Sequence, residues 1–292
     1  MKNSKAEKNN ASRKRLVYTA AAIVIILVPA IFSLQFFFSG QGTPKAAIID
    51  QLGSSRLTEA IRDENQTFLD ASRELLYQRF SVIDFYSANA TVEQYRQLAS
   101  AGYRLILWRA HSALDLNSNY IAISTTDKYG TINYDQYLEN GQLTVCNITG
   151  YYYFGITPKF IETMPGTFQD TVIVLMSCNG LKQGYLKTAQ AFEAKGAKVV
   201  ISWDDWVSPS DNDQGTSLLL QYLIDENDTV SVAVGKIPQF ISEFGLARLH
   251  YDPQSPEIAN YQVPDYRQNI GAKQSGLVIL TFSGRFKEHG DE

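Results

Sequence analysis

Two residues of this sequence, His111 and Cys178, are of the types that form a catalytic pair. Each follows a short apolar run typical of a buried strand, residues 104–108 before His111 and residues 171–176 before Cys178. In open α/β sheets, ligands and catalytic groups collect at the carboxyl ends of the strands. A cysteine nucleophile needs a base or an imidazolium nearby, because its thiolate is the attacking form. The pattern therefore predicts thiol chemistry at one edge of a sheet.

The elements that must position this pair alternate between strand and helix. Helical spacing of apolar residues extends over 57–80 and again over 91–98, where Thr91 is a suitable N-cap. The strands are near-continuous apolar runs, which is typical of a mostly parallel sheet with helices on both faces. They are predicted at residues 46–50, 81–86, 104–108, 171–176 and 198–203, and residues 276–282 are the candidate for a sixth, edge strand.

A tyrosine-rich insertion, residues 120–154, separates the third strand from the fourth. Asn140-Gly141 within it predicts the turn of a β-hairpin. After the insertion, Thr157-Pro158 is a good N-cap and first position for a short helix that ends before Pro165. The sequence thus predicts one α/β domain over residues 45–292, with a hairpin inserted beside the strand that ends at His111.

This order of elements resembles that of the caspase-like cysteine peptidases, in which a strand ending in His precedes an inserted hairpin and a strand ending in Cys-x-Gly. Residues 177–180 read Ser-Cys-Asn-Gly, similar to the Ala-Cys-x-Gly of caspases. Residues 174–178, and residues 196–204 with the sequence Gly-Ala-Lys-Val-Val-Ile-Ser-Trp-Asp, are similar to segments of the CHAT domains. The likeness covers about residues 45–237. His111 and Cys178 are 67 residues apart, against about 50 in caspases.

The resemblance implies a caspase-like three-layer fold, with His111 as the general base and Cys178 as the nucleophile. The backbone N–H groups of Ser112 and Cys178 would then face the developing oxyanion, where one donor is worth roughly 3–4 kcal/mol. Caspase-like enzymes usually carry Gly after the His, whereas this chain has Ser112, whose side chain would crowd that approach. An acidic residue is also missing directly before Ser177, so an acidic specificity pocket would have to come from Asp204 or Asp205.

Each of these residues also has a plainer interpretation. His111 could be a structural histidine that caps a loop, and Cys178 a buried apolar side chain, as free cysteines often are. Asp204 and Asp205 are of types more often found in loops and helix caps than in specificity pockets. Cys146 and Cys178, the two cysteines of the chain, could form a disulfide outside the cytoplasm. Such a bond would inactivate the site or place it under redox control.

The N-terminal block predicts a membrane anchor. Residues 1–15 are rich in lysine and arginine, and residues 16–38 carry no charge. That run is long enough to cross a hydrocarbon core of roughly 30 Å. A cleaved signal peptide is the alternative, but its apolar core is usually about 7–15 residues long. The run here is longer and has no clear small-x-small cleavage site.

The positive-inside rule places residues 1–15 in the cytoplasm and the domain outside it, after a short linker at 39–44. Four N-glycosylation triplets begin at Asn65, Asn89, Asn147 and Asn227 and agree weakly with that location. The expected partners are the membrane itself and a polypeptide near its surface. Together with the resemblance, an anchored domain of this type suggests a surface protein of a prokaryote, with archaea among the candidates.

Several classes of function are disfavoured. The net charge is −4, so no nucleic-acid partner is expected. The first strand is followed by no dinucleotide or phosphate-binding loop, and no Gly-x-Ser-x-Gly elbow is present. We expect no cofactor and no metal. Two hypotheses remain: an anchored caspase-like peptidase that uses a His111/Cys178 dyad, and an inactive domain of the same fold that acts as a surface binding or scaffold module.

Overall fold

A six-stranded sheet organises the domain in the computed structural model, which describes residues 43–242 and 245–267. Its strands, in the order found across the sheet, are β12, β9, β8, β3, β1 and β2, and only β12 runs antiparallel to its neighbour. The mixed α/β class with a mostly parallel sheet is therefore confirmed. The strand bounds are β1 Lys45–Asp50, β2 Ile83–Tyr86, β3 Tyr103–Arg109, β8 Thr171–Met176, β9 Ala197–Trp203 and β12 Leu249–Asp252.

Both faces of this sheet are buried, which explains why its strands read as continuous apolar runs. Alternate residues of β3 enter opposite cores: Ile106 and Trp108 pack on one face, Leu105 and Leu107 on the other. Buried residues of α2, α4 and α5 belong to the first core, and those of α1, α6, α7 and α8 belong to the second. The helix bounds are α1 Gln66–Leu76, α2 Val92–Arg96, α4 Pro158–Thr163, α5 Lys187–Ala194, α6 Pro209–Leu220, α7 Val230–Gly235 and α8 Pro256–Ala259.

Short irregular helices complete the described layers. Single 3-10 turns are formed by Glu59–Ile61 and Leu98–Ser100, and a π-helical turn, Gln221–Asp225, follows α6. The two predicted caps are confirmed. Thr91 accepts a hydrogen bond from the N–H of Gln94 at the start of α2, and Thr157 accepts one from Phe160 at the start of α4. Residues 57–80, predicted as one helical stretch, form the Glu59–Ile61 turn and α1, separated by a loop.

The insertion between β3 and β8 is larger than predicted. It forms an antiparallel sheet in the order β4, β5, β7, β6. Asn140-Gly141 is not the hairpin turn: Asn140 caps the short helix α3, Asp135–Glu139, and Gly141 follows it at φ +68°. Positive φ suits a helix C-terminus as well as a hairpin. Thr149-Gly150 forms the turn between β6 and β7, and residues 116–119 form the turn between β4 and β5. The strand bounds are β4 Ser112–Asp115, β5 Tyr120–Lys128, β6 Leu143–Ile148 and β7 Tyr151–Ile156.

The sixth strand of the main sheet also differs from the prediction. It is β12, which pairs with β9, whereas the predicted strand at 276–282 lies outside the described residues. A small hairpin, β10 Phe240–Ser242 and β11 Gly245–Ala247, precedes β12 in the chain.

The predicted anchor, residues 16–38, lies outside the described residues, as do the tail 1–15 and most of the linker 39–44. Within residues 43–242 and 245–267, no helix combines the length and apolarity needed to span a bilayer.

Candidate functional site

The register between β3 and β8 brings the two predicted site residues to one edge of the sheet. Arg109 pairs with Met176, the last residue of β8, and the N–H of Ala110 donates to the carbonyl of Met176 at 3.2 Å. His111 lies two residues after Arg109, and Cys178 lies two residues after Met176. Since the two strands are parallel neighbours, the chain leaves both at equivalent positions. His111 and Cys178 line one cavity.

His111 is held at its backbone and at its ring. Its N–H donates to the side-chain oxygen of the buried Gln51 at 3.0 Å, and its Nε2 lies 2.8 Å from the carbonyl oxygen of Ile61. A carbonyl accepts only, so Nε2 carries a hydrogen and Nδ1 of the neutral ring keeps its lone pair. Burial lowers the pKa of His111, and the nearby Arg109 guanidinium lowers it too, against the opposing effect of the Ile61 carbonyl. With its pKa lowered, the His111 ring is mostly neutral near pH 7.

Cys178 is a half-buried thiol. Its Sγ lies 3.4 Å from the carbonyl oxygen of Val207, to which the S–H donates. Burial raises the pKa of Cys178 above its ordinary value, the Val207 contact lowers it, and Asp205 raises it further. Both cysteines are free, and Cys146 is fully buried in β6. The structure therefore shows no Cys146–Cys178 disulfide.

The turn after Cys178 explains the Cys-x-Gly pattern. Asn179 adopts the left-handed conformation at φ +60°, which Asn tolerates better than most residues do. A Cβ at Gly180 would lie 1.9 Å from Oγ of Ser202. That hydroxyl is itself fixed by donation to the carbonyl of Leu175 at 2.6 Å. Gly180 is thus required by a close approach of the turn to β9.

Ser112 connects the two strand ends. Its hydroxyl donates to the carbonyl of Cys178 at 2.6 Å, so the side chain is tied to the neighbouring turn. In the β4–β5 ladder, the carbonyl of His111 accepts from the N–H of Ser124 at 2.9 Å. Because hydrogen-bonded positions alternate along antiparallel strands, the N–H of Ser112 points away from β5. Ser112 does not itself line the cavity.

The cavity beside His111 and Cys178 has a volume of about 540 Å³. Its wall is largely apolar, and among the described residues that line it Asp211 alone carries a carboxyl group. Most known ligand sites have this character, with apolar walls and a few convergent polar groups. Trp206 and Ile241 form an exposed rim, with 45% and 84% of their surfaces accessible. The remaining lining residues are Leu52, Ala110, Ser177, Val207, Ser208, Pro209 and Asn212.

The structure does not bring Asp204 or Asp205 to this cavity. Asp204 accepts from the N–H of Arg248 at 2.8 Å and lies 3.0 Å from Nε2 of His250, towards the β12 edge. Asp205 pairs with Lys182 at 3.1 Å. These contacts occupy the two carboxylates that the sequence suggested for a specificity pocket. The carboxyl group on the cavity wall belongs instead to Asp211, in the first turn of α6.

A buried ion cluster beneath the site was missed in the sequence. Arg109, fully buried, forms ion pairs with Asp50 at 3.0 Å, with Asp213 at 2.7 Å and with Asp63. Burial alone would lower the pKa of Arg109, but the carboxylates of Asp213 and Asp50 hold it above its ordinary value. The sequence signal for this cluster is Arg109 itself, a charged residue at the last position of an apolar strand. A charged residue is almost never fully buried unless it is paired, so its position indicates a buried partner.

The four glycosylation candidates fall into two groups. Asn89, Asn147 and Asn227 are exposed. Asn65 differs from these three because both polar atoms of its side chain are engaged. Its side-chain oxygen caps α1, and its Nδ2 donates to the carboxylate of Asp213 at 2.9 Å. A glycan on Nδ2 would displace that bond.

Within the described ranges, no cluster of three or more His, Cys, Asp or Glu side chains could hold a metal ion. The chain matches no protein-family model, and no curated protein is significantly similar to it.

Proposed function

We propose that the chain is a cysteine peptidase of the caspase-like type, anchored in a membrane by residues 16–38 with its domain outside the cytoplasm. The observation that carries this proposal is the shared cavity of His111 and Cys178, in which the Ile61 carbonyl fixes the tautomer of His111. A base oriented by a third group beside a nucleophile is the general arrangement of nucleophilic catalysis. The order of elements agrees with the resemblance, since β3 leads to His111, a β insertion follows, and β8 leads to Cys178.

In the proposed reaction, Nδ1 of His111 removes the thiol proton of Cys178 as Sγ attacks the carbonyl carbon of the peptide bond. The oxyanion that forms accepts a hydrogen bond from the backbone N–H of Cys178, which lines the cavity, whereas Ser112, the other donor expected from the sequence, does not line it. When the C–N bond breaks, His111 returns the proton to the leaving amine. Water, deprotonated by His111, then hydrolyses the thioester and regenerates the thiol. The proton moves with the attack, because the resting pair is a neutral imidazole and a neutral thiol.

A matched pair of cysteine variants tests the proposal. Cys178→Ala in the full chain, purified in detergent with a thiol reductant, should lower peptide-cleavage rates by roughly a thousandfold or more. Cys146→Ala removes the other thiol, which lies in a different sheet, and should leave the rate within about twofold of the wild type. A Cys178→Ala protein that cleaves peptides as fast as the wild type would rule out the proposal.

The anchor is tested separately. Residues 16–38 should keep the chain in the membrane fraction after carbonate extraction, and a chain starting at Thr43 should be released. External protease should digest the domain of intact cells, whereas a domain protected until the cells are opened would contradict the proposed orientation.

One observation favours a second function, an inactive domain that binds a polypeptide. The Cys178 thiol donates to Val207 and its pKa is raised by burial, whereas many catalytic thiols have lowered pKa values. In that case, mild electrophiles would not label Cys178. The wild type and Cys178→Ala would then bind the same peptide equally, and neither would turn it over.

A further inference from the structure

Strand β2 leaves an open edge on the main sheet. Among the described strands it pairs with β1 alone. The N–H of Ala46 donates to the carbonyl of Val82 at 3.0 Å, and Ala46 is opposite Ile83 in the parallel register. Backbone groups alternate along a strand, so Val82, Asp84 and Tyr86 direct theirs towards β1. The N–H and C=O groups of Ile83 and Phe85 therefore face outward, where they can template another strand.

Apolar side chains accompany this edge. Tyr77, Val82 and Phe85 are 47%, 40% and 41% exposed. An open edge with exposed apolar residues is a predicted site of strand addition unless something covers it. We call this surface, formed by Tyr77 and residues 82–86, the β2 edge.

The last described residues lie beside the β2 edge. The N–H of Tyr266 donates to the carbonyl of Arg79 at 2.9 Å, and its ring stacks on Phe80 at 5.2 Å between centroids. The guanidinium of Arg267 donates to the carbonyl of Tyr77 at 3.4 Å. Residues 77–80 lead directly into β2, so the chain passes residue 267 within a few residues of the open edge.

The sequence that follows suits this edge. Residues 276–282 read Gly-Leu-Val-Ile-Leu-Thr-Phe, an uncharged run rich in strand-forming residues. The connection from Arg267 to Gly276 can reach about 30 Å when extended. We propose that residues 277–282 add to the β2 edge as an intramolecular strand, with the outward groups of Ile83 and Phe85 as its hydrogen-bond partners and the exposed side chains of Val82 and Phe85 beside it on opposite faces of the sheet.

The same chain is the favoured occupant because of its connectivity. A short tether gives the segment an effective concentration in the millimolar range at the edge. A second copy has no such tether and would have to pair through a four-residue strand at its free concentration in solution.

Hydrogen exchange of the full chain, followed by mass spectrometry, tests the proposal. The amides of 277–282 should exchange roughly tenfold or more slowly than in a free peptide of that sequence. Phe85→Pro removes an outward-facing N–H without removing a bond to β1, so it should return 277–282 to free-peptide rates while β3 stays protected. Phe85→Thr keeps the N–H and is the matched control, which should retain the protection.

Three results would overturn the inference. The first is exchange of residues 277–282 at free-peptide rates in the wild type. The second is protection that persists in Phe85→Pro, which would mean that these residues dock elsewhere. Protection that disappears on dilution would assign the edge to a second copy. None of these measurements depends on peptidase activity, so the two proposals are tested independently.

Discussion

The imidazole Nε2 of His111 lies 2.8 Å from the carbonyl oxygen of Ile61. One ion cluster holds the backbone next to both partners. Arg109 precedes His111 by two residues, and it donates to the carboxylate and to the carbonyl of Asp63, which follows Ile61 by two residues. The orientation of the candidate base therefore depends on a buried guanidinium that does not line the cavity.

Alkylation of Cys178 should report a neutral resting thiol. Burial raises the pKa of Cys178 above its ordinary value of 9.0, so at a given pH it holds less thiolate than a free cysteine does. We expect its reaction with iodoacetamide in the Cys146→Ala variant to be slow near neutral pH and to rise continuously through about pH 9. Mass spectrometry of the modified peptide gives the rate. A rate that is already constant below about pH 7 would indicate a preformed thiolate–imidazolium pair instead.

The pH dependence of stability should include a contribution from His111. Its pKa is lowered in the folded state, so below about pH 6.5 the unfolded chain binds more protons than the folded chain does. Stability from this group is fully present above that pH and is lost as the pH falls through the folded-state pKa. His111→Gln should flatten the slope of the urea-unfolding free energy in this window. An unchanged slope would show that His111 titrates normally.

Removing the Ser112 hydroxyl should weaken catalysis without abolishing it. Ser112→Ala loses the 2.6 Å bond to the Cys178 carbonyl, a net contribution of about 0.5–1.5 kcal/mol. The expected loss in kcat/KM is about two- to thirteenfold. Ser112→Gly, which introduces the residue that caspase-like enzymes usually carry after the His, loses the same bond and should behave alike. Higher activity in Ser112→Gly than in Ser112→Ala would show that side-chain crowding matters more.

Neutralising Arg109 should destabilise the domain strongly. Arg109→Met leaves buried carboxylates without their cation, a change that typically costs about 3–5 kcal/mol. Asp63→Asn should cost about 1 kcal/mol or less, because the Asp63 side chain is 42% exposed. Urea denaturation of both variants provides the comparison. Equal stability of Arg109→Met and the wild type would mean that the cluster is dispensable.

Substrate preference should depend on Asp211. Asp211 carries the carboxyl group found on the described part of the cavity wall, so it should favour a lysine or arginine before the cleaved bond. Asp211→Asn should lower kcat/KM for such peptides by roughly tenfold relative to leucine peptides. Asp205→Asn is the control and should not alter this ratio. Equal cleavage after lysine and leucine by the wild-type domain would eliminate the preference.

Much of the fold could be predicted because a parallel sheet buried on both faces leaves a strong local signal. The strand Thr171–Met176 was predicted to the residue, and Thr91 and Thr157 cap their helices through local chemistry. Local chemistry could not decide whether Asn140-Gly141 forms a hairpin turn or the end of a helix, because a residue with positive φ suits both.

The candidate site was only partly predictable. To predict that His111 and Cys178 lie at one edge of the sheet, it was enough to treat their two strands as neighbours, because parallel neighbours end at the same edge. Asp204 follows β9 in the same manner, yet its carboxylate binds the N–H of Arg248, which directly precedes β12, and the ring of His250 on β12. The ion cluster joins residues far apart in sequence, Asp50, Arg109 and Asp213. The position of Arg109 indicates that it needs a partner, but no local pattern indicates which carboxylates supply it.

The insertion β4–β7 lies within one crossover between the adjacent strands β3 and β8. It therefore sets how many residues separate His111 from Cys178 in the sequence, but it does not change their positions at the ends of these two strands. A homologue with a shorter or longer insertion would keep the same geometry at a different spacing. Distance along the chain between these two residues is therefore a poor criterion for recognising relatives. A search that anchors on the strand ends and permits any length between them would recover proteins that a fixed-interval motif overlooks.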